Sequence, residues 1–282
     1  MDEGIRTLLV HLDGDERDAA RLQLARRLAL EHGAAVTALF ATAPMLSIIP
    51  MDGDASGAVA QMVVELEEQR HAHARKAFES VLGEAAGVAA TYRELPYELV
   101  APAFAREAMY ADLTVVGQRD PAAGGTSGVP GDFPERVMAG SGRPVLVVPY
   151  TGKLPERFAT IAIAWKETPE CARAVAGALP LLRKAGKVHV LAWEGRQARP
   201  DDTGRLDLRH YLESHGVESA WHDGGPEPGG EVGDLLLSAC ADVSADLLVM
   251  GCYGHSRARE WMLGGASRTV LHTMTLPVMM AH

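Results

Sequence analysis

The stretch "ADLLVMGCYG" occupies residues 245–254, and "ADLTVVGQRD" occupies 111–120. Both carry an Ala-Asp pair, then four residues of mainly apolar character, then glycine. A short apolar run without polar alternation suits a strand buried on both faces, as in parallel sheets covered by helices. The recurrence of the whole pattern is a stronger signal than either copy alone, because self-similarity at this scale marks a duplicated structural unit.

Working outward, "RPVLVVP" (143–149) matches "LPVMMAH" (276–282), so the ends of two units coincide. Their beginnings also align: "RTLLVHLDGDERDAARLQLARRLALEHGAAVTAL" (6–39) pairs with "ATIAIAWKETPECARAVAGALPLLRKAGKVHVL" (159–191). The separation between partners is larger at Thr7/Thr160 than at Ala111/Ala245, which requires extra residues in the first copy; "ATAPMLSIIPMDGDASGA" (41–58) is their expected place. Each copy reads as strand, helix, strand, helices, strand, glycine-bearing loop, helix, strand. Leu8–Val10, Val36–Phe40, Leu113–Val116 and Val145–Val148 are the strand candidates. Leu24 and Leu28 lie on one helical stripe ended by Gly33, and Val175, Leu179 and Leu182 precede Gly186 similarly. Alternating strands and helices predict α/β architecture with two open parallel sheets, in domains 1–150 and 156–282. The Gly- and Pro-bearing "TGKLPERF" (151–158) is the expected linker.

Composition narrows the partners. Hydrophobic residues make up 47% and charged residues 23%, ordinary for a folded protein. The formal net charge of −10 opposes a polyphosphate backbone, and no basic run offsets it, which argues against nucleic acid. Cys171, Cys240 and Cys252 show no paired or CxxC spacing, as expected for the reducing cytoplasm. The start, "MDEGIRTLLVHLDGD", is acidic where a signal peptide is basic, and no apolar run is long enough to cross a bilayer, so no membrane role is expected.

In open α/β sheets ligands sit beyond the carboxyl ends of the strands where strand order reverses. The glycine loop of the second copy, "GCYGHSRAREWMLGG" (251–265), lies at such a place. Glycine lets a backbone approach an anion, and a helix start supplies converging N–H groups. "GGAS" (264–267) before "RTVLHTM" offers Gly264 and Gly265 at the turn and Ser267 at an N-cap-like position. A turn of this kind also serves purely structural ends in many α/β proteins.

Gly251-x2-Gly254-x9-Gly264, behind a buried strand and ahead of a short helix and an "LPV" strand, resembles the nucleotide-binding signature of the universal stress protein family. With both copies fitting the element order, the chain resembles a tandem member of that family. The resemblance implies two Rossmann-like, adenine nucleotide α-hydrolase-like domains, each with five parallel strands, related by a pseudo-two-fold axis. It further implies ATP or AMP held at Gly254, Gly264, Gly265, Ala266 and Ser267, with Met250 and Gly251 near the adenine and ribose.

Two departures qualify this. Gly265 stands where the family has Ser or Thr, and Lys166 in "IAIAWKETPE" (161–170) stands where its ATP binders have Asp. A carboxylate accepts a hydrogen bond from the adenine amino group, whereas an ammonium only donates. Lys166 could reach a ring nitrogen or another anion, with Trp165 beside it to stack, or could be an ordinary solvated strand-end lysine. The first copy fails in reverse: Asp13 sits at the carboxylate position, but "QRDPAAGGTSGVPGDFPERV" (118–137) has lost the loop. Asp120 and Asp132 would repel phosphate there, and Pro134 removes a donor.

His71 and His73, two apart on a predicted helix, face different directions and read as solvated surface rather than a metal site. His255, Arg257 and Arg259 could neutralise a phosphate or merely populate a polar loop. His210 and His215 read as helix-end residues. The stretch 67–84 reads as an exposed amphipathic helix. No Gly-x-Ser-x-Gly or HExxH motif is present, and no catalytic residue or metal ligand is assigned.

The leading reading is a stress-response binding and regulatory protein with an adenine-nucleotide site in the second copy alone. The rival is a scaffold, or a binder of another small molecule, which Lys166 favours. An ATP hydrolase ranks last, since Gly251–Ser267 offers only Glu260 as a carboxylate. Pairing of the copies within one chain is expected, and a homodimer is compatible with it.

Overall fold

The computed structural model describes residues 4–43, 56–83, 87–95, 99–121, 128–193, 206–224, 232–252 and 265–282. The chain divides into two compact units, Met1–Tyr150 and Thr151–His282. The first runs β1 (Thr7–Leu12), α1 (Asp18–His32), β2 (Ala35–Phe40), α2 (Ser56–Leu82), β3 (Ala90–Glu94), α3 (Val100–Ala108), β4 (Leu113–Gly117), α4 (Phe133–Ser141) and β5 (Val145–Val148). Its strand order is β3-β2-β1-β4-β5, with neighbours parallel. The second runs β6 (Thr160–Ala164), α5 (Pro169–Leu182), β7 (Lys187–Ala192), α6 (Leu208–Ser214), β8 (Ala220–Asp223), α7 (Val232–Asp242), β9 (Leu247–Gly251), α8 (Gly265–Thr273) and β10 (Val278–Ala281). Its order is β10-β9-β6-β7-β8, again parallel. Strand order reverses between β1 and β4 in one unit and between β6 and β9 in the other, which opens a crevice at the carboxyl ends of each pair.

The continuous apolar runs are buried as double-sided strands demand: β1 is buried from Leu8 to Leu12, and β5 and β10 throughout. Each fully buried Val or Leu contributes about 1.5–3 kcal/mol relative to exposure, so the sheets carry much of the stability. The Ala-Asp pair of the repeat proves to be a clip. Asp112 accepts from Arg6 N and Thr7 N, both at 2.9 Å. Asp246 does the same from Ala159 N at 2.9 Å and Thr160 N at 2.8 Å. One carboxylate thus satisfies two amides at the start of the neighbouring strand and fixes its register.

Helix ends follow the sequence unevenly. Gly33 ends α1 in the left-handed region, at φ 67°, as glycine alone does freely. α5 stops earlier than Gly186 suggested: Arg183 caps it in right-handed geometry, and Gly186 instead donates to Ala159 O at 2.8 Å to begin β7. His210 lies in the first turn of α6, where its N–H reaches the Asp207 side chain at 2.7 Å, so only His215 sits at the C-terminal end. Within α2, Val63, Ala74, Ala77 and Leu82 form the buried stripe. His71 is exposed, as expected of helix surface, and its ring also leans on Phe40 at 4.2 Å and faces Glu94 at 3.2 Å. Residues 151–158 contain no helix or strand, yet Phe158 is buried. Of the expected insertion 41–58, residues 44–55 lie outside the described residues. No helix among the described residues is long and apolar enough to cross a membrane.

Candidate functional site

In the first unit the end of β1 leads into an acidic turn, "HLDGDERD" (11–18), and α1 brings Arg21 back over it. Arg21 is buried and pairs with Asp13, Asp18 and, at 3.1 Å, Asp15. Asp18 also caps the turn, accepting from Gly14 N at 2.9 Å and Asp13 N at 3.2 Å. Burial pushes the Asp13 carboxyl up, but the Arg21 charge overrides it and holds the group at about 2. For Asp18 burial wins over Arg21, helped by repulsion from Asp13, and the carboxyl rises to about 6. Among the described residues, this acidic trio is the group able to gather round a metal ion, and the guanidinium already fills its centre.

Below the turn lies His11, buried, its Nε2–H donating to Ala41 O at 2.8 Å. Its ring packs against Phe104 and Phe133 at 5.1 and 4.3 Å. Burial lowers its pKa to about 4, with the Asp13 charge opposing and Arg21 assisting, so the ring is neutral.

Across the crevice, Gly117 ends β4 and lies where any Cβ would collide with the Arg21 guanidinium. Asp120 pairs with Arg17 at 2.7 Å, and Asp132 with Arg136 at 2.8 Å. The two carboxylates expected to repel a phosphate are therefore neutralised. The missing amides are not replaced: α4 opens on Phe133-Pro134-Glu135, with a proline and an acidic residue in its first turn. What remains is a hollow of about 320 Å³, lined among others by Asp13, Arg17, Arg21, Arg70, Arg119 and Phe133. These guanidinium groups were not singled out from sequence; the signal available was the Asp18/Arg21 spacing of three at a helix start.

The second unit replaces every one of those charges. Ala164 stands at the place of His11, Lys166 of Asp13, Cys171 of Asp18 and Ala174 of Arg21. Its turn is capped by Thr168, whose hydroxyl accepts from Cys171 N at 3.3 Å. Trp165 and Lys166 are half-buried at the end of β6, and Ala164 pairs in register with Met250, so these residues lie beside Met250 and Gly251. Gly251 is required there: a Cβ would stand 2.6 Å from Cys171 N and 2.9 Å from its Sγ. Gly254 and Gly264 lie outside the described residues, as do His255, Arg257, Arg259 and Glu260.

Gly265 opens α8, so Ser267 is the third residue of the helix rather than its N-cap. Gly265 is exposed with no atom within 4 Å of a would-be Cβ, Ala266 is half-buried, and Ser267 is buried. The first turn of α8 has neither proline nor acidic residue, so nothing within that turn removes an amide donor or sets a negative charge beside it. α7 holds α8 closely, since a Cβ on Gly233 would lie 3.0 Å from Ala266 O and 2.5 Å from Thr269 Cβ. All three cysteines are buried and none forms a disulfide, and burial pushes the Cys240 thiol up to about 12, which leaves it inert.

Two open parallel α/β sheets, each with a crevice at its switch point, define the class. Residues 227–282 match the model of the universal stress protein family. The whole chain is similar to a universal stress protein from Archaeoglobus fulgidus DSM 4304, at 17% identity and TM-score 0.67, covering 98% of this chain and 95% of that one. It is also similar to a functionally unknown protein from Pseudomonas aeruginosa PAO1, at 17% identity and TM-score 0.60, covering 98% and 92%. A universal stress protein in complex with cAMP aligns with 53% of this chain and 100% of that one, at 20% identity and TM-score 0.33. Among curated proteins, none matches by sequence. The C-terminal segment thus matches the universal stress protein family model, and the full chain shares the fold of the Archaeoglobus fulgidus protein.

Proposed function

We propose that the chain is a ligand-responsive regulatory protein of the stress-response type, whose second unit takes an adenine nucleotide, ATP or AMP, while the first does not. The observation that carries this reading is the contrast between two helix starts. α8 opens on Gly265-Ala266-Ser267, a first turn with neither proline nor acidic residue, whereas α4 opens on Phe133-Pro134-Glu135. A helix N-terminus behind a glycine-bearing strand end is a ready anion site, and Gly251-x2-Gly254-x9-Gly264 supplies the matching sequence. Met250, Gly251 and Trp165 would border the base and ribose. Nucleotide would then act as the signal, altering the surface around residues 251–267 that a partner reads.

Calorimetric titration with ATP, ADP and AMP tests this, using wild type and Gly265→Asp. Gly265 has open space around it, so the aspartate changes charge and not packing. Binding at micromolar to millimolar Kd, weakened at least tenfold by Gly265→Asp, is the expected result; no heat at millimolar nucleotide removes the proposal.

A second reading rests on Lys166. An ammonium cannot accept from the adenine amino group, so a ligand with an anionic or carbonyl group near the end of β6 fits that residue better. Mass spectrometry of whatever co-purifies with the protein separates the two readings.

A further inference from the structure

The hollow of the first unit has lost both devices by which a nucleotide would be held, yet it remains open and polar. Asp13 has its acceptor capacity engaged by Arg21, and Pro134 and Glu135 stand where amide donors would be wanted. In their place are side chains. Arg17, Arg21, Arg70 and Arg119 line a space of about 320 Å³ together with Asp13, Asp15 and Asp120, and apolar walls come from Leu66, Val129 and Phe133.

The charges are not equally committed. Asp13, Asp15 and Asp18 face Arg21, and Asp120 faces Arg17. Arg70 acts on Asp13 through its charge and packs near Gly14 and Gly128. Arg119 is different. It is exposed, its guanidinium lies over Gly131 with Nη1 2.7 Å from a would-be Cβ, and its charge bears on Glu135. No hydrogen bond or ion pair engages it among the described residues. Deeper in the hollow, Arg21 Nε is buried and also lacks a hydrogen-bond partner. Unsatisfied buried donors of this kind are rare and are commonly met by a ligand or an ordered water.

We propose that this hollow is a second small-molecule site, recognising an organic monoanion through the Arg119 guanidinium rather than through backbone amides. A guanidinium presents parallel N–H donors that match a flat pair of oxygens, as in a carboxylate or a single phosphate group. The apolar walls suit a ring or short hydrocarbon body on the same molecule. A triphosphate is disfavoured, because Arg17 and Arg21 are already matched by carboxylates and Arg119 cannot by itself offset several further negative charges. The site is independent of the nucleotide reading of the second unit.

The test is calorimetry on the full chain with benzoate, phenyl phosphate and ATP as probes, in wild type, Arg119→Ala and Arg119→Lys. Benzoate or phenyl phosphate should bind wild type with millimolar or tighter Kd, at least tenfold more weakly to Arg119→Ala, with Arg119→Lys recovering only part because it keeps the charge and loses the fork. The preferred probe of the two identifies carboxylate or phosphate as the group read. ATP binding should be unchanged by either substitution. Failure of both monoanions to bind, or equal binding by wild type and Arg119→Ala, overturns the proposal.

Discussion

The turn after β1 and the turn after β6 hold the same place in their own units and are built from opposite chemistry. One is a buried ion cluster in which Arg21 gathers Asp13, Asp15 and Asp18. The other is a turn capped by the Thr168 hydroxyl, with Cys171 and Ala174 where the first unit has Asp18 and Arg21. Yet the glycine opposite each turn is kept: Gly117 makes room for a guanidinium and Gly251 for the backbone of α5. Two copies of one fold have therefore divided the crevice differently. The first fills it with its own charges, and the second keeps a helix start without proline or acidic residue in its first turn.

The sharpest way to break this comparison is to give the first unit the second unit's residue. Arg21→Ala, the counterpart of Ala174, leaves three carboxylates without their shared cation, and removing one partner of a buried ion group costs about 3–5 kcal/mol. Urea denaturation followed by circular dichroism should show a loss of that size; a change below about 1 kcal/mol would mean the cluster is dispensable.

Acid response sharpens it next. His11 is neutral in the folded protein, its pKa lowered to about 4 against 6.5 in the unfolded chain. Its contribution is present above about 6.5 and is lost as pH falls toward 4, since only the unfolded state takes up the proton, at no more than about 1.4 kcal/mol per pH unit. Asp18 has the opposite sign: raised to about 6, it contributes below its unfolded value and loses this as pH rises through 6. Comparing wild type with His11→Ala, the counterpart of Ala164, isolates the first effect. The variant should lose less stability than wild type between pH 6.5 and 4; parallel curves would contradict a buried neutral imidazole.

A smaller effect is expected at Gly251. Alanine there places its Cβ against Cys171 N, which cannot swing away as a side chain can, and overpacking of this kind costs about 1–3 kcal/mol. Thermal melting measures it, and an unshifted midpoint would show that α5 sits less tightly than described. Smallest is Lys166→Asp, which restores the acceptor that the first unit has at Asp13. Adenine-nucleotide affinity should rise about tenfold, or about 1.4 kcal/mol, by calorimetry; an unchanged Kd would place Lys166 away from the base.

Much of the fold was legible because the repeat and the double-sided strands leave the same signature, unbroken apolar runs such as Leu113–Val116. The Ala-Asp pairs aligned the copies, although their role as strand clips depends on contacts across more than eighty residues of sequence. The site was read less evenly. Gly251 and the Gly265–Ser267 helix start follow from local spacing, but the helix begins at Gly265, ahead of the position that an N-cap serine at 267 suggested. Arg17, Arg21 and Arg119 escaped notice because sequence assigns arginines on a helix or loop to solvent by default. Only the fold brings α1 over the end of β4 and buries Arg21 there, with Arg17 and Arg119 at the rim of the same hollow. For the same reason Asp120 and Asp132 were read as repulsive, their partners Arg17 and Arg136 being invisible as partners until the chain is folded.

Amide hydrogen exchange with and without saturating ATP tests most directly whether the second unit alone takes nucleotide. The account predicts slowed exchange at the end of β9 and the first turn of α8, with the end of β4 and the first turn of α4 unchanged. Protection at α4 and β4, or at neither helix start, would contradict it.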